Sequence, residues 1–309
     1  MGDKKKKLIV LSAAVLICVT AAVVSVFFFR NRSEDKEDFS MLQSSVNRAE
    51  EDASSQAEES ADSKEEESSA VSAEPGQNTE TEEVQQEESQ SEPDALEQRN
   101  LTIPEKNLDW AALKAKNKDI YAWIYIPGTK VDYPVLQHPT SNSYYLDYNL
   151  DGTKGYPGCI YTENYNSKDF TDPHTVLYGH NMKNGTMFGT LHNYEDQDTF
   201  FGEDHYIFIY TEENVYVYLI FAAYDFDAIH LLANYDLSNE KVYEQYINNI
   251  FKVKNTSKRV ANIRDDVEVT KDDRIITLST CTKGGNENYR FLVVGVLLNP
   301  QQLDLHAEE

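Results

Sequence analysis

The sequence predicts a mainly β domain, a closed or nearly closed eight-stranded barrel, carried behind an apolar span and an acidic tether. Three observations predict it. Beyond residue 100, eight short runs rich in aromatic and β-branched residues recur between Gly, Pro, Asn and Asp turns. Residues 8–29 form an uncharged run of 22 residues, and the stretch between the two is almost entirely polar. The 309 residues carry 28 Lys+Arg against 53 Asp+Glu, a formal charge of −25. That charge is divided as +4 over residues 1–30, −17 over 31–100 and −12 over 101–309. An acid surplus without a basic stripe excludes nucleic acid as a partner class, because neutralising phosphates requires clustered Lys and Arg.

Residues 1–7, with Lys4 to Lys7, read as a cytoplasmic tail. Residues 8–29 read as a transmembrane signal-anchor helix, since at about 1.5 Å per residue they span the roughly 30 Å hydrocarbon layer. A cleaved signal peptide has a shorter apolar region, about 7–15 residues, and a small-residue cleavage site. Cys18 follows the bulky Ile17, where a lipidation signal needs a small residue, so packing within the membrane accounts for it better. Arg30, Arg32 and Lys36 partly offset the four lysines, but the short leader favours the N-terminus inside. The expected location is therefore the cell membrane, single-pass, with the large domain extracytoplasmic.

Residues 30–100 are Glu, Ser, Ala, Gln and Asp with too little apolar content to offset the entropy of ordering. They read as an acidic disordered linker, with a reach of roughly 45 Å for a flexible chain of that length.

Residues 101–309 form the folded domain. Leu108–Lys116 reads as a short amphipathic helix. Strands are predicted at Tyr121–Ile126, Val131–Leu136, Cys159–Tyr161, Thr175–Tyr178, Tyr206–Thr211, Val215–Tyr224, Arg274–Ser279 and Arg290–Leu298. A weak helical stretch is predicted at Met187–Tyr194. A stronger one lies at Ser238–Phe251, with Ser238 as its N-cap and Tyr243, Tyr246, Ile247, Ile250 and Phe251 at helical spacing.

The chain has no Cys-x-x-Cys, no histidine pair at ligand spacing, no Gly-rich phosphate loop and no Gly-x-Ser-x-Gly. No metal and no organic cofactor are expected. Cys281 ends a predicted strand, where rigid backbone positions it and substrate can reach it, and Arg290 opens the next strand. If the two strands pair, the guanidinium lies beside the thiol, where it could stabilise a thiolate or an oxyanion. A cysteine at a strand end is also a common small core residue, so a base is required. His180, directly after the strand ending at Tyr178, supplies one.

Thr277-Leu278-Ser279-Thr280-Cys281, Tyr178-Gly179-His180 and Arg290 together resemble the sortases, membrane-anchored cysteine transpeptidases of the Gram-positive envelope. Asp119 to Thr129, Val131 to Gln137 and Asn142-Ser143-Tyr144-Tyr145-Leu146 resemble class B of that family, as does the long helix-containing connection before the last two strands. The resemblance covers about residues 105–299. It implies a sortase-type barrel in which Cys281 is the nucleophile, His180 the acid/base and Arg290 the oxyanion or substrate-orienting group. It implies substrate contacts from Asn142, Leu146, Tyr178, Ser279 and Thr280, and a groove wall from Asp225–Leu232. The implied reaction cleaves the C-terminal sorting motif of secreted proteins through a thioester, which a peptidoglycan stem or bridge amine, or a pilin lysine, then resolves. Two other readings stay open at this point. One is a secreted cysteine peptidase using water. The other is a non-catalytic surface-binding module with Cys159 and Cys281 in a disulfide, although Cys159 reads better as strand core. Asn299-Pro300-Gln301 resembles the opening of a class B sorting signal, but no apolar span and basic tail follow it, so it reads as a strand terminator.

Overall fold

The computed structural model describes residues 95–299 and 303–304; the expected membrane span, most of the linker and Pro300–Gln302 lie outside them. Among the described residues no helix is long and apolar enough to cross a membrane. Packed structure starts at a short helix α1 (Ala95–Gln98), whose Leu96 is buried in the core, so the folded unit reaches back beyond residue 101.

The chain continues through α2 (Trp110–Lys116), β1 (Ile120–Tyr125), β2 (Asp132–Leu136), α3 (Tyr144–Asp147), β3 (Ile160–Thr162) and β4 (His174–Tyr178). A 3₁₀ helix (Gly189–Glu195) and α4 (Gln197–Gly202) precede β5 (Tyr206–Tyr210) and the long β6 (Asn214–Asp227). Then come α5 (Leu231–Asn234), α6 (Glu240–Ile250), β7 (Ala261–Ile263), β8 (Ile275–Cys281), β9 (Tyr289–Leu297) and β10 (Leu303–Asp304).

Eight of these strands close a ring in the order β6-β5-β1-β2-β3-β4-β8-β9, with β9 returning to β6. They are the eight strands the sequence predicts. The pairs β2–β3 and β4–β8 are parallel and the other pairs of the ring antiparallel. Two short strands were not predicted, β7 and β10, and both attach to β6. With three and two residues they carry too little alternation to be seen in sequence.

Alternation sorts β4, β6, β8 and β9 between two cores. Ile276 and Leu278 of β8, with Phe291 and Val293 of β9, fill the barrel. Ile275, Leu292, Val294 and Val296 face outward beneath α6, where Tyr243, Tyr246, Ile247 and Ile250 cover them. Each such burial is worth about 1.5–3 kcal/mol. The cap of α6 is Asn239 rather than Ser238: the Asn239 Oδ1 accepts from the amides of Lys241 and Val242, while the Ser238 hydroxyl turns back to Asp236. Both residue types cap well, and here the second of the pair fits the turn. The weak helix expected at Met187–Tyr194 is the 3₁₀ segment, displaced two residues because Met187 takes φ 55°.

His174 lies wholly under α6, its Nε2 2.7 Å from Thr277 Oγ1 across the parallel pair. Burial lowers its pKa from 6.5 to about 3. The unfolded chain takes up this proton below about pH 6.5 while the folded chain refuses it, so stability present above pH 6.5 is lost as pH falls toward 3. By pH 4.5 the loss is about 2–3 kcal/mol. Thermal melts of His174→Gln, which can keep the bond to Thr277, should show a flatter decline in Tm between pH 6.5 and 4.5. A slope equal to the wild type's would contradict this account.

Candidate active site

The parity that sorts the two cores also aligns the site. On β8, residues 275, 277, 279 and 281 share the outer face; on β9, residues 290, 292, 294 and 296 share it. Cys281 pairs directly with Arg290, so their side chains rise on the same side. On β4, which runs parallel to β8, Tyr178 pairs with Ser279. The register is prolonged beyond the strand by the Gly179 amide, which donates to the Ser279 carbonyl (3.2 Å), and by the Thr280 hydroxyl, which donates to the Gly179 carbonyl (2.8 Å). His180 therefore follows β4 at the level of Cys281. Helix α6 covers this face at His174 and Thr277 and stops short of the strand ends, leaving the three residues at an open rim. Cys281 is exposed, and His180 and Arg290 are half-buried.

The ring of His180 lies 4.8 Å from the exposed Tyr156, and its Nε2 donates to the Leu146 carbonyl at 2.8 Å. A carbonyl oxygen only accepts, so this bond places a hydrogen on Nε2. Arg290 donates from Nη1 to the carbonyls of Glu287 (3.2 Å) and Tyr289 (2.9 Å), which stiffens it against its own loop.

The other predicted residues divide into two groups. Asn142 accepts from the Asn164 amide (2.9 Å), and Leu146 is 39% exposed, its carbonyl on His180. Tyr178 stacks on Tyr161 at 5.4 Å, and burial, then the neighbouring Glu163, push its phenol well above the usual range. Ser279 and Thr280 are buried, and the Thr280 hydroxyl is spent on Gly179, joining the two strands that carry the site. Residues 225–232 rise beside Tyr178. Within them His230 pairs with Glu163 (2.6 Å), and its ring lies 6.4 Å from that of Tyr178. Burial raises the Glu163 carboxyl above its ordinary value despite the opposing pull of His230.

Four side chains at the rim carry no motif signal: Asn181, His192, Glu195 and Tyr156. Asn181 Nδ2 and His192 Nε2 both donate to the Cys281 carbonyl, each at 3.0 Å. Burial alone would raise the Glu195 carboxyl, but bonds from His192 and Lys283 outweigh it and hold the group below the usual carboxylate range. Cys159 is buried and Cys281 exposed, and neither forms a disulfide, which removes the disulfide-linked binding module.

A family model described as "Sortase domain" matches residues 124–298, more than half of the chain. A relative named sortase B from Listeria monocytogenes is 36% identical over 188 residues, covering 60% of this chain and 72% of that one. The crystal structure of Clostridium perfringens sortase B superposes with a TM-score of 0.53 at 31% identity, over 60% of this chain and 98% of that one. A Staphylococcus aureus sortase B–substrate complex matches at TM-score 0.50 and 30% identity, over 61% of this chain and 85% of that one. The barrel order, the strand-end cysteine paired with arginine, and these matches agree: the chain belongs to the sortase family of cysteine transpeptidases, within class B.

Proposed function

We propose that Cys281 is the nucleophile, His180 the general acid/base and Arg290 the cation that orients the scissile carbonyl and stabilises its oxyanion. The observation that carries this assignment is the Cys281–Arg290 cross-strand pair at an open rim, with His180 just beyond the end of the neighbouring parallel strand. The thiolate adds to the carbonyl carbon, and the oxyanion collapses as the C–N bond breaks. His180 delivers the proton to the leaving amine, and a thioester remains on Cys281. An incoming amine then attacks the thioester, giving up a proton to His180, and the new amide leaves the thiol free. The bond energy of the original peptide is retained through the thioester, so no nucleotide is consumed.

The substrate is a peptide segment, the sorting motif of a secreted protein. Among the described residues the exposed large hydrophobics are Leu146, Tyr156, Tyr165, Phe201 and Ile229. Tyr156 lies against His180, Tyr165 lies 5.5 Å from His230, and Ile229 adjoins that histidine, so most of this apolar surface flanks the rim. An extended peptide would lie between the Asn142–Leu146 side and the 225–232 wall, touching Tyr178 and Ser279. Thr280 would act from beneath by holding β8 to Gly179. The S. aureus sortase B–substrate complex, a relative that binds a substrate, supports a substrate-binding role in general. The acceptor is a peptidoglycan amine in our reading, with a pilin lysine as the alternative. Residues 8–29 would anchor the enzyme in the cell membrane with its barrel outside, and residues 30–94 would space it toward the wall.

Incubating the full-length protein with a library of sorting-type peptides, with and without a glycine-based amine, tests this. Cleavage that depends on Cys281 and yields an amine-joined product is expected. Hydrolysis indifferent to any amine would favour a peptidase.

Gly179 offers a geometric check on His180. A Cβ there would lie 2.5 Å from Ile160 Cδ1 and 2.7 Å from Phe188 Cδ2. Gly179→Ala must therefore displace the buried Ile160 and Phe188 side chains or the turn that aims the imidazole, and kcat should fall about tenfold or more. Turnover within twofold of wild type would show that the turn has slack.

A further inference from the structure

Among the described residues the carbonyl of Cys281 accepts two side-chain hydrogen bonds, from Asn181 Nδ2 and His192 Nε2, both at 3.0 Å. Strand pairing does not require either. His192 is brought from the 3₁₀ helix, 89 residues away in the chain, and its side chain is only 4% exposed. Its ring stacks on Phe291 at 4.7 Å, beneath the β8–β9 pair. Its Nδ1 meets Glu195 Oε1 at 2.6 Å, and the other carboxylate oxygen takes Lys283 Nζ at 2.9 Å. Lys283 belongs to the loop after Cys281. The assembly therefore clasps the nucleophile's peptide unit and the loop behind it to one buried imidazole.

We propose that His192, oriented by Glu195 and assisted by Asn181, is a positioning residue that pins the Cys281 carbonyl and so fixes where the thiol stands relative to His180 and Arg290. The physical need is plain. Cys281 is the last residue of β8, the loop after it holds Gly284 and Gly285 at positive φ, and a strand end held only by its last pair frays. Two donors on one carbonyl remove the rotation of the Cys281 peptide plane that would swing Sγ off the attack line. Acyl transfer is sensitive to such displacement, with errors of about 1 Å costing on the order of a hundredfold. Asn181 completes the coupling, because it directly follows His180: the nucleophile's backbone is tied to the base's own neighbour.

This inference rests on Cys281 being the nucleophile, and one of its readouts is free of that assumption. In the full-length protein, His192→Leu should lower kcat for the sorting peptide about 10–100-fold with KM within about twofold. His192→Gln places an amide donor near the Nε2 position and should recover most of that loss. Hydrogen exchange, read without substrate, should speed up at the amides of residues 279–282 and 289–291 in His192→Leu and return toward wild type in His192→Gln. Unchanged exchange in His192→Leu overturns the clasp whether or not the protein cleaves peptides. Unchanged kcat, or a Gln variant as impaired as the Leu variant, overturns the positioning role. If His192→Leu does not fold, Asn181→Ala replaces it. That variant keeps the buried ring and should show the same split of kcat from KM with a smaller loss; wild-type values for it would count against the proposal.

Discussion

Cys281→Ala is expected to abolish both peptide cleavage and amine transfer, by at least about a thousandfold, while leaving the barrel folded. In the proposed mechanism every covalent step passes through Sγ, and no other exposed thiol exists among the described residues, since Cys159 is buried in the barrel. A loss of that size corresponds to about 4 kcal/mol of transition-state stabilisation. Cys281 is the exposed last residue of its strand, so Tm should move by no more than a few degrees. Residual cleavage above a hundredth of wild type would mean that another group attacks the peptide. The two variables to compare are therefore turnover and thermal stability in the same preparation.

Arg290→Ala is expected to reduce kcat by about 10²–10³-fold, the range for loss of one oxyanion-stabilising donor. The two Nη1 bonds to loop carbonyls orient the guanidinium, and the remaining donors face no partner among the described contacts. Arg290→Lys should recover little of the loss. A lysine ammonium is a point charge on a flexible stem and cannot hold two loop carbonyls while presenting further donors in plane. If Arg290 only stabilised the loop, the Ala variant would lose thermal stability with kcat preserved in the folded fraction. Full activity in Arg290→Ala would refute its assigned role.

How far the sequence reaches into this site follows from the range of each interaction. The Cys281–Arg290 pair is legible because seven loop residues, 282–288, separate two apolar runs, and a connection that short makes adjacent strands antiparallel neighbours. The approach of His180 is not legible in the same way. It depends on β4 lying parallel to β8 about a hundred residues further on, and only the resemblance to a known family joined the two in advance. His192 and Asn181 left no signal at all, since both bind a backbone carbonyl, which every residue offers. Thr280 shows the converse: the family resemblance implied a substrate contact, but alternation turns its side chain inward to Gly179. Asn299 behaves similarly. Its side chain donates to the Val215 carbonyl and accepts from the Val217 amide, each at 2.7 Å, so its amide acts as one more ladder rung on β6. That bonding accounts for Asn299 as structural without recourse to a sorting signal.

The fold was more accessible because its signal is repeated. β4, β6, β8 and β9 alternate between two apolar environments, and aromatic or β-branched residues recur in every run. What escaped were elements too short to show a period, the strands β7 and β10 and the helices α3, α4 and α5, together with α1 at the margin of the acidic stretch.

The most direct measurement is the intact mass of the full-length protein mixed briefly with a sorting-type peptide. The expected result is an adduct equal to the acyl part of the cleaved peptide, located on Cys281, released by hydroxylamine, and consumed faster when a glycine-based amine is added. Peptide cleavage with no adduct on Cys281, at a rate no amine alters, would contradict the thioester route.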